Sequence, residues 1–226
     1  MAAFEHAVRL GYRCIETDVR ATRDRVPVIF HDEHMDRLTD RTGPFVARDW
    51  AQLEDVRIDG KEPMVRLDDL LGAWPDLRLI IDPKSDDVVT PLIEALRRAN
   101  ARDRVCIGSF SARRLRWFRT DAPGCTSCGP TEVVRLRAES WGIPAGMVDA
   151  ECAQVPPRQP LFGGLSIPVV DAAFLRAAHA RGMPVQVWTV DDEAEMERLL
   201  DLGVDGIMSD RVTALKEVFE RRGLWR

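Results

Sequence analysis

The amino-acid sequence predicts an α/β fold of the (β/α)8, or TIM, barrel type, with the first strand missing and a β-hairpin after the first visible strand. Apolar runs of strand length alternate with helical periodicity, which indicates a parallel sheet with right-handed crossovers. Seven such strands can be counted, whereas a closed barrel of this type needs eight. Because 226 residues is an ordinary length for one barrel, we expect residues 1–226 to form a single, N-terminally truncated barrel domain.

The chain opens on a helical pattern over residues 3–8, before any strand exists to receive it, so the missing strand is expected to be the first. The predicted parallel strands lie near residues 14–18, 78–82, 104–108, 124–128, 147–152, 185–189 and 204–208. The later helical patterns cover about residues 88–99, 112–119, 131–139, 172–180, 193–200 and 213–221. The stretch between the hairpin and the second of these strands is predicted to be irregular.

The hairpin brings polar residues together near the start of the chain. Two apolar-flanked arms enclose a turn at Asp24-Arg25, so that Glu16 falls roughly opposite His31. Asp18 points from the same strand face as Glu16, since side chains two residues apart share a face. Two acids beside an imidazole suit a hard divalent cation next to a proton-transfer group. A half-buried hairpin with its polar face in solvent is the structural alternative, and the hairpin alone does not decide between them.

Polar groups recur at the predicted C-terminal ends of the strands, where barrel enzymes hold their chemistry. In order they are Glu16 and Asp18, Asp82 with Lys84, Ser109-Phe110, Gln154, Trp188-Thr189 and Asp210. Carboxylates suit Ca²⁺ or Mg²⁺, a lysine beside them suits a phosphate oxygen, and a tryptophan offers an apolar wall. Each also has a structural reading: Asp82 as a turn residue, Lys84 as a solvated charge, Trp188 as a cap on the core. Their joint occurrence favours a site.

Composition excludes several classes of function. The formal net charge is −5 with no basic stripe, which argues against a nucleic-acid surface. No apolar run is long enough to cross a bilayer, and the N-terminus lacks a signal-peptide pattern. Five cysteines without framework spacing predict free thiols in a reducing, cytoplasmic compartment, and the lone Cys125/Cys128 pair reads as two buried thiols rather than a zinc or redox site. We therefore expect a small-molecule substrate, and the oligomeric state stays open.

Five segments resemble the glycerophosphodiester phosphodiesterases in their order and spacing. They are Ile-Glu-Thr-Asp-Val at 15–19, Val-Ile-Phe-His-Asp at 28–32, Ile-Asp-Pro-Lys at 81–84, Val-Trp-Thr-Val at 187–190 and Gly-Val-Asp-Gly-Ile-Met-Ser-Asp at 203–210. The resemblance extends from residue 1 to about residue 212. It implies hydrolysis of glycerophosphodiesters to glycerol 3-phosphate and an alcohol, with a divalent cation, Ca²⁺ or Mg²⁺, as cofactor.

The resemblance also implies a role for particular residues. It makes Glu16, Asp18 and Asp82 the metal ligands, His31 one of two catalytic histidines, Lys84 a phosphate contact and Trp188 part of the glycerol pocket. The implied mechanism is acid–base catalysis, with the metal drawing charge from the phosphoryl oxygens. The glycerol hydroxyl of the substrate attacks first, His31 protonates the leaving alcohol, and water then opens the cyclic phosphate.

The chain departs from the family pattern at three places. Its turn has Asp24-Arg25 where the family usually has Asp-Gly, so we expect a rearranged turn rather than a strained one. Asp82 stands where many relatives carry Glu. Family members begin with a strand ending His-Arg-Gly and then a Pro-Glu-Asn segment, for which His6 and His34 are poor substitutes, so the activity of the chain as printed is doubtful on this pattern.

Three hypotheses follow from these observations. The leading one is a glycerophosphodiester phosphodiesterase whose chain starts upstream of Met1. The second is a catalytically inactive truncated barrel that acts as a binding module or is a fragment. The third keeps the fold and changes the product, as a lyase-type phospholipase relative that releases a cyclic phosphate would do.

Overall fold

The computed structural model describes residues 1–160 and 166–225. Contacts divide the chain into two compact units, a first unit of Met1–Cys125 and a second unit of Thr126–Arg226. The predicted alternation of strands and helices is confirmed in both units, which makes the fold α/β. The single truncated barrel domain stays a prediction.

The helices begin and end close to the residues that periodicity predicts. They are α1 (Ala2–Leu10), α2 (Leu67–Ala73), α3 (Val89–Arg98), α4 (Ala112–Asp121), α5 (Pro130–Ser140), α6 (Ala172–Ala180), α7 (Glu193–Leu202) and α8 (Val212–Arg221). Short 3₁₀ turns occupy Phe45–Ala47, Trp50–Gln52 and Arg102–Arg104. The sequence analysis missed α2, a short helix in the stretch expected to be irregular, although Leu67, Leu70 and Leu71 have helical spacing and are buried.

The strands are β1 (Cys14–Ala21), β2 (Pro27–Ile29), β3 (Arg57–Ile58), β4 (Glu62–Pro63), β5 (Arg78–Pro83), β6 (Val105–Ile107), β7 (Cys125–Thr126), β8 (Ala153–Val155), β9 (Arg158–Pro160), β10 (Ser166–Pro168), β11 (Val185–Val187) and β12 (Gly206–Ile207). Two strands, β1 and β5, are longer than the apolar runs that predict them, and the other predicted strands are shorter or displaced. The β3/β4 and β9/β10 hairpins are additions to the prediction.

The first unit is built on a five-stranded sheet in the order β2-β1-β5-β6-β7. Strands β1, β5 and β6 pair in parallel, and β2 returns antiparallel against the outer edge of β1. On β1 the side chains of Thr17, Val19 and Ala21 are buried, whereas Glu16 and Asp18 point to the opposite face and are more accessible. The alternation therefore separates a core face from a polar face.

The turn between β1 and β2 contains a non-glycine residue in the left-handed region of backbone conformation. Arg25 has a φ of 66°, in the left-handed region, so the expected rearrangement of the turn is wrong. Thr22 and Val26 close the turn, because the Val26 amide donates to Thr22 Oγ1 at 2.8 Å and the Thr22 amide donates to the Val26 carbonyl at 3.0 Å. These bonds offset a conformational cost of about 1 kcal/mol for a non-glycine residue there.

The second unit contains a parallel three-stranded sheet in the order β12-β11-β8. The strand predicted at 147–152 is wrong, because the paired residues are those of β8, a few positions later. Met147 is 79% exposed and follows Gly146, which has a φ of 77°, in the left-handed region. Of the predicted segment, Cys152 alone pairs, through an isolated bridge to Ser127.

The cysteines differ from the expectation of free thiols. Cys106 and Cys125 form a disulfide with a Cα–Cα distance of 4.5 Å, since β6 and β7 are neighbours in the first unit's sheet. Cys14, Cys128 and Cys152 are not in a disulfide, and Cys128 is buried as predicted. The reading of Cys125 as a buried free thiol is therefore wrong.

Within residues 1–160 and 166–225, no helix combines the length and apolar character needed to span a bilayer.

Asp171 caps α6 in the second unit and yields a pH-dependent prediction. Its Oδ1 accepts from the Phe174 amide at 2.9 Å, and Arg137 donates to both carboxylate oxygens. The Arg137 hydrogen bonds lower the pKa of Asp171 to about 2. The ionised carboxylate therefore stabilises the folded protein fully at pH values above the usual aspartate pKa, and this stabilisation is lost as the pH falls through about 2. We expect Asp171→Ala to cost about 1 kcal/mol in urea unfolding at pH 7, and less at pH 3.

Asp192 is the matched control for this prediction. It caps α7 by accepting from the Glu195 amide at 2.8 Å, and no arginine contacts it in the described part of the chain. Asp192→Ala should therefore cost less than Asp171→Ala at pH 7. Equal losses would show that the Arg137 contact adds nothing to the cap.

Candidate active site

The polar face of β1 meets the end of β5 in the first unit. The parallel register of the two strands sets Asp18 directly opposite Asp82. Asp82 precedes the last residue of β5, and the strand stays in register to that point because Leu79 and Ile81 are buried in the core. Two carboxylates therefore stand side by side near the C-terminal end of the parallel pairing between β1 and β5.

Lys84 joins these two carboxylates. Its ammonium Nζ lies 2.7 Å from Asp18 Oδ1 and 2.9 Å from Asp82 Oδ2. The Lys84 amide donates to the Val19 carbonyl at 3.0 Å, which fixes the backbone from which the side chain extends. The three side chains are only 15–23% exposed, so solvent screens these contacts less than it would on an open surface.

The charges of this cluster do not cancel. Burial raises the pKa of Asp82, although the hydrogen bond from Lys84 opposes that shift. Burial alone would lower the pKa of Lys84, but hydrogen bonds to Asp18 and Asp82 outweigh it, and the pKa of Lys84 is raised. With all three groups ionised, two carboxylates and one ammonium leave a net negative charge, which attracts a cation.

Glu16 lies on the same face of β1, but outside this cluster. It is exposed, and its register partner on β5 is Ile80. Two residues along a strand span about 6.6 Å. In the ranges 1–160 and 166–225, the oxygens of Glu16, Asp18 and Asp82 do not come within 4.8 Å of one another as a group. The structure thus brings together two of the three predicted metal ligands.

His31 follows β2 and is held by its neighbours. Pairing sets Val19 opposite Ile29, so that the register, if continued, would place Asp32 rather than His31 opposite Glu16. The approximate facing of Glu16 and His31 stays a prediction, because the pairing of β1 with β2 ends at Ile29, before His31. His31 Nδ1 lies 2.6 Å from Asp32 Oδ1, and its side chain is 58% exposed.

Sequence reasoning missed two residues of this region, Arg20 and Arg37. Arg20, two residues beyond Asp18 on the same face, donates through Nε to the His31 carbonyl at 2.9 Å. Arg37 donates through Nε and Nη2 to the two oxygens of Asp32, at 2.7 and 2.8 Å. Strand alternation could have found Arg20, whereas Arg37 is brought to Asp32 by a loop that has no sequence signature.

The remaining strand-end residues lie in two groups. In the first unit Ser109 is buried and Phe110 is 68% exposed. In the second unit Trp188 directly follows β11, is half-buried, and donates its amide to the Val155 carbonyl at 3.2 Å. The Gln154 side chain donates to Gln186 Oε1 at 2.9 Å, which gives it a structural role.

Solved structures share this fold. The glycerophosphoryl diester phosphodiesterase domain of an uncharacterized Mycobacterium tuberculosis protein matches with a TM-score of 0.80 and 19% identity, over 96% of this chain and 91% of that one. An Oleispira antarctica phosphodiesterase, solved in complex with the product sn-glycerol-3-phosphate, matches with a TM-score of 0.77 and 18% identity, over 96% and 90% of the two chains. At these identities the likeness establishes the fold alone.

Sequence comparison identifies the family. The "Probable glycerophosphodiester phosphodiesterase 2" of Mycobacterium tuberculosis is 38% identical, over 100% of this chain and 86% of the relative. A glycerophosphodiester phosphodiesterase of Caldanaerobacter subterraneus is 29% identical, over 99% and 92% of the two chains. The sequence profile of the glycerophosphoryl diester phosphodiesterase family matches residues 1–214. The chain therefore belongs to the glycerophosphoryl diester phosphodiesterase family.

Proposed function

We propose that this protein is a metal-dependent phosphodiesterase that hydrolyses glycerophosphodiesters to glycerol 3-phosphate and an alcohol. The observation that carries the proposal is the cluster of Asp18, Asp82 and Lys84 near the C-terminal end of the parallel pairing between β1 and β5, the end at which barrel enzymes hold their chemistry. Family membership and a relative named as a glycerophosphodiester phosphodiesterase at 38% identity support the substrate class.

The donor set fits a hard divalent cation, Ca²⁺ or Mg²⁺. Asp18 and Asp82 offer carboxylate oxygens, and the ammonium of Lys84 between them is evidence that this pocket accepts positive charge. Glu16, which extends the same polar face, would complete the set as a third ligand. When bound, the cation would draw negative charge from the phosphoryl oxygens of the substrate.

The other groups would bind and orient the substrate. Lys84 would hold a phosphate oxygen as a point charge once a cation takes over the carboxylates. Trp188 would supply an apolar wall for the glycerol carbons. His31 would hold the proton that the leaving alcohol takes. The glycerol hydroxyl of the substrate would lose its own proton to solvent as it attacks phosphorus, and water would then open the cyclic phosphate.

Release of glycerol 3-phosphate from glycerophosphocholine tests the proposal. The protein is used as its gene encodes it, with any residues that precede Met1, and phosphorus NMR follows substrate and product. We expect hydrolysis with Ca²⁺ or Mg²⁺, loss of hydrolysis in EDTA, and recovery when excess cation is returned. A protein that releases nothing with either ion would contradict the proposal, and a cyclic phosphate as the final product would favour the lyase reading.

A further inference from the structure

A chain of hydrogen bonds runs from His31 through Asp32 to Arg37. His31 Nδ1 lies 2.6 Å from Asp32 Oδ1, which also accepts from Arg37 Nη2 at 2.8 Å. The second oxygen of Asp32 accepts from Arg37 Nε at 2.7 Å. The carboxylate is 18% exposed, whereas the side chains of His31 and Arg37 are 58% and 65% exposed. A largely covered carboxylate thus connects two open side chains.

The partners of Asp32 determine which nitrogen of His31 carries the proton. Hydrogen bonds from Arg37, and then from His31, hold the pKa of Asp32 far below its usual range, so the carboxylate is ionised at neutral pH. An ionised carboxylate has no proton to donate. The Nδ1 atom must therefore be the donor of the 2.6 Å contact, which leaves Nε2 as the basic nitrogen of the neutral ring.

The backbone of His31 is held as well. Arg20 Nε donates to the His31 carbonyl at 2.9 Å, and the Phe30 amide donates to the Asp18 carbonyl at 3.0 Å. The ring is thus oriented at Nδ1, and its main chain is tied to β1, the strand that carries Asp18. Such support on both sides suits a group that must present one nitrogen in a fixed direction.

We propose that Asp32 is a positioning residue that fixes the Nδ1–H tautomer of His31, and that Arg37 locks Asp32 for this task. His31 Nε2 is then the atom that exchanges a proton with the leaving alcohol. The assignment rests on the proposed function for the role of His31. For the tautomer it rests on the contacts of Asp32 with His31 and Arg37 and on the ionised carboxylate that those contacts maintain. It extends to this site the general rule that a carboxylate behind a catalytic imidazole sets its tautomer.

Asp32→Ala is the most direct variant, because it removes the acceptor that faces His31 Nδ1. Without that acceptor nothing holds the ring proton on Nδ1, so both neutral tautomers of His31 become populated. We expect kcat to fall by about 10- to 100-fold with little change in KM.

Nitrogen-15 NMR of the histidine rings reads the tautomer without any catalysis. The protein has four histidines, and His31→Gln identifies the His31 signals by their loss. In the unmodified protein with neutral histidine rings, at alkaline pH, we expect the Nδ1–H form of His31. Asp32→Ala should show a mixture of the two tautomers, and Arg37→Met should show a smaller share of the Nε2–H form with an intermediate kcat. Asp55→Ala is the matched control, because it breaks an ion pair with Arg41 in the same loop region and touches no histidine.

The NMR measurement and the kinetic measurement together distinguish an error in the inference about Asp32 from an error in the proposed function. An Nε2–H tautomer in the unmodified protein overturns the inference, even if Asp32→Ala does not fold. An unchanged tautomer and kcat in a folded Asp32→Ala variant also overturn it. A protein that shows the Nδ1–H form, and its partial loss in Asp32→Ala, but hydrolyses no glycerophosphodiester would retain the positioning contact and refute the proposed function.

Discussion

Replacing His31 with alanine should lower kcat for glycerophosphocholine hydrolysis by about 10²- to 10⁴-fold, the usual contribution of a positioned acid–base group. The loss should fall on kcat more than on KM, because the imidazole acts on the leaving oxygen in the transition state rather than on the ground-state substrate. The measurement is the initial rate of glycerol 3-phosphate release with saturating Ca²⁺ or Mg²⁺. Because the His31 side chain is 58% exposed, its removal should leave the fold intact by circular dichroism.

The leaving group provides a sharper version of the same experiment. An aryl alcohol such as p-nitrophenol leaves without being protonated, so glycerophospho-p-nitrophenol should lose much less rate in His31→Ala than glycerophosphocholine does. His34→Ala is the control, since His34 is exposed and pairs with Pro44 through its backbone. Equal losses on both substrates would mean that His31 does not protonate the leaving group.

Local pattern predicts most of the elements of this fold. The helix α6 has the predicted bounds because its buried face, Phe174, Leu175 and Ala178, repeats at helical spacing within the segment itself. Strand β8 was predicted at the wrong position. Residues 147–152 have the apolar content of a strand, but the strand lies at 153–155. Its true position is set by pairing with β11, whose partner residues lie about thirty positions away. Pairing between distant strands is not contained in a local window, and the prediction failed there.

The candidate site also has some features that local sequence predicts and others that depend on contacts between distant segments. Alternation along one strand predicts that Glu16 and Asp18 share a face, and the burial of the residues between them confirms it. The fold class predicts that Asp18 and Asp82 lie at the same edge of the sheet. That they stand directly opposite one another depends on the register between β1 and β5, which the fold class does not fix. The Asp32–Arg37 contact and the Cys106–Cys125 disulfide depend on how loops and strands pack, and the sequence contains no pattern for either.

Because Lys84 bridges Asp18 and Asp82, its replacement should have a large effect on the stability of the folded protein. Lys84→Met should destabilise the cation-free protein by about 2–3 kcal/mol, because it leaves Asp18 and Asp82 facing one another without a counter-charge in a mostly covered site. The loss should shrink on acidification, since protonation of Asp82, whose pKa burial already raises, removes the repulsion. Urea unfolding in EDTA at pH 7 and at lower pH measures both effects.

The same variant tests the cation site without any assay of activity. A divalent cation that binds the folded protein stabilises it in proportion to its affinity, and in Lys84→Met it need not displace an ammonium from the two carboxylates. Added Ca²⁺ or Mg²⁺ should therefore raise the melting temperature of Lys84→Met more than that of the unmodified protein. Lys61→Met, at an exposed position between β3 and β4, should behave like the unmodified protein. If cations stabilised Lys84→Met no more than Lys61→Met, Asp18 and Asp82 would not be metal ligands, and the site would keep its ammonium as a structural ion pair.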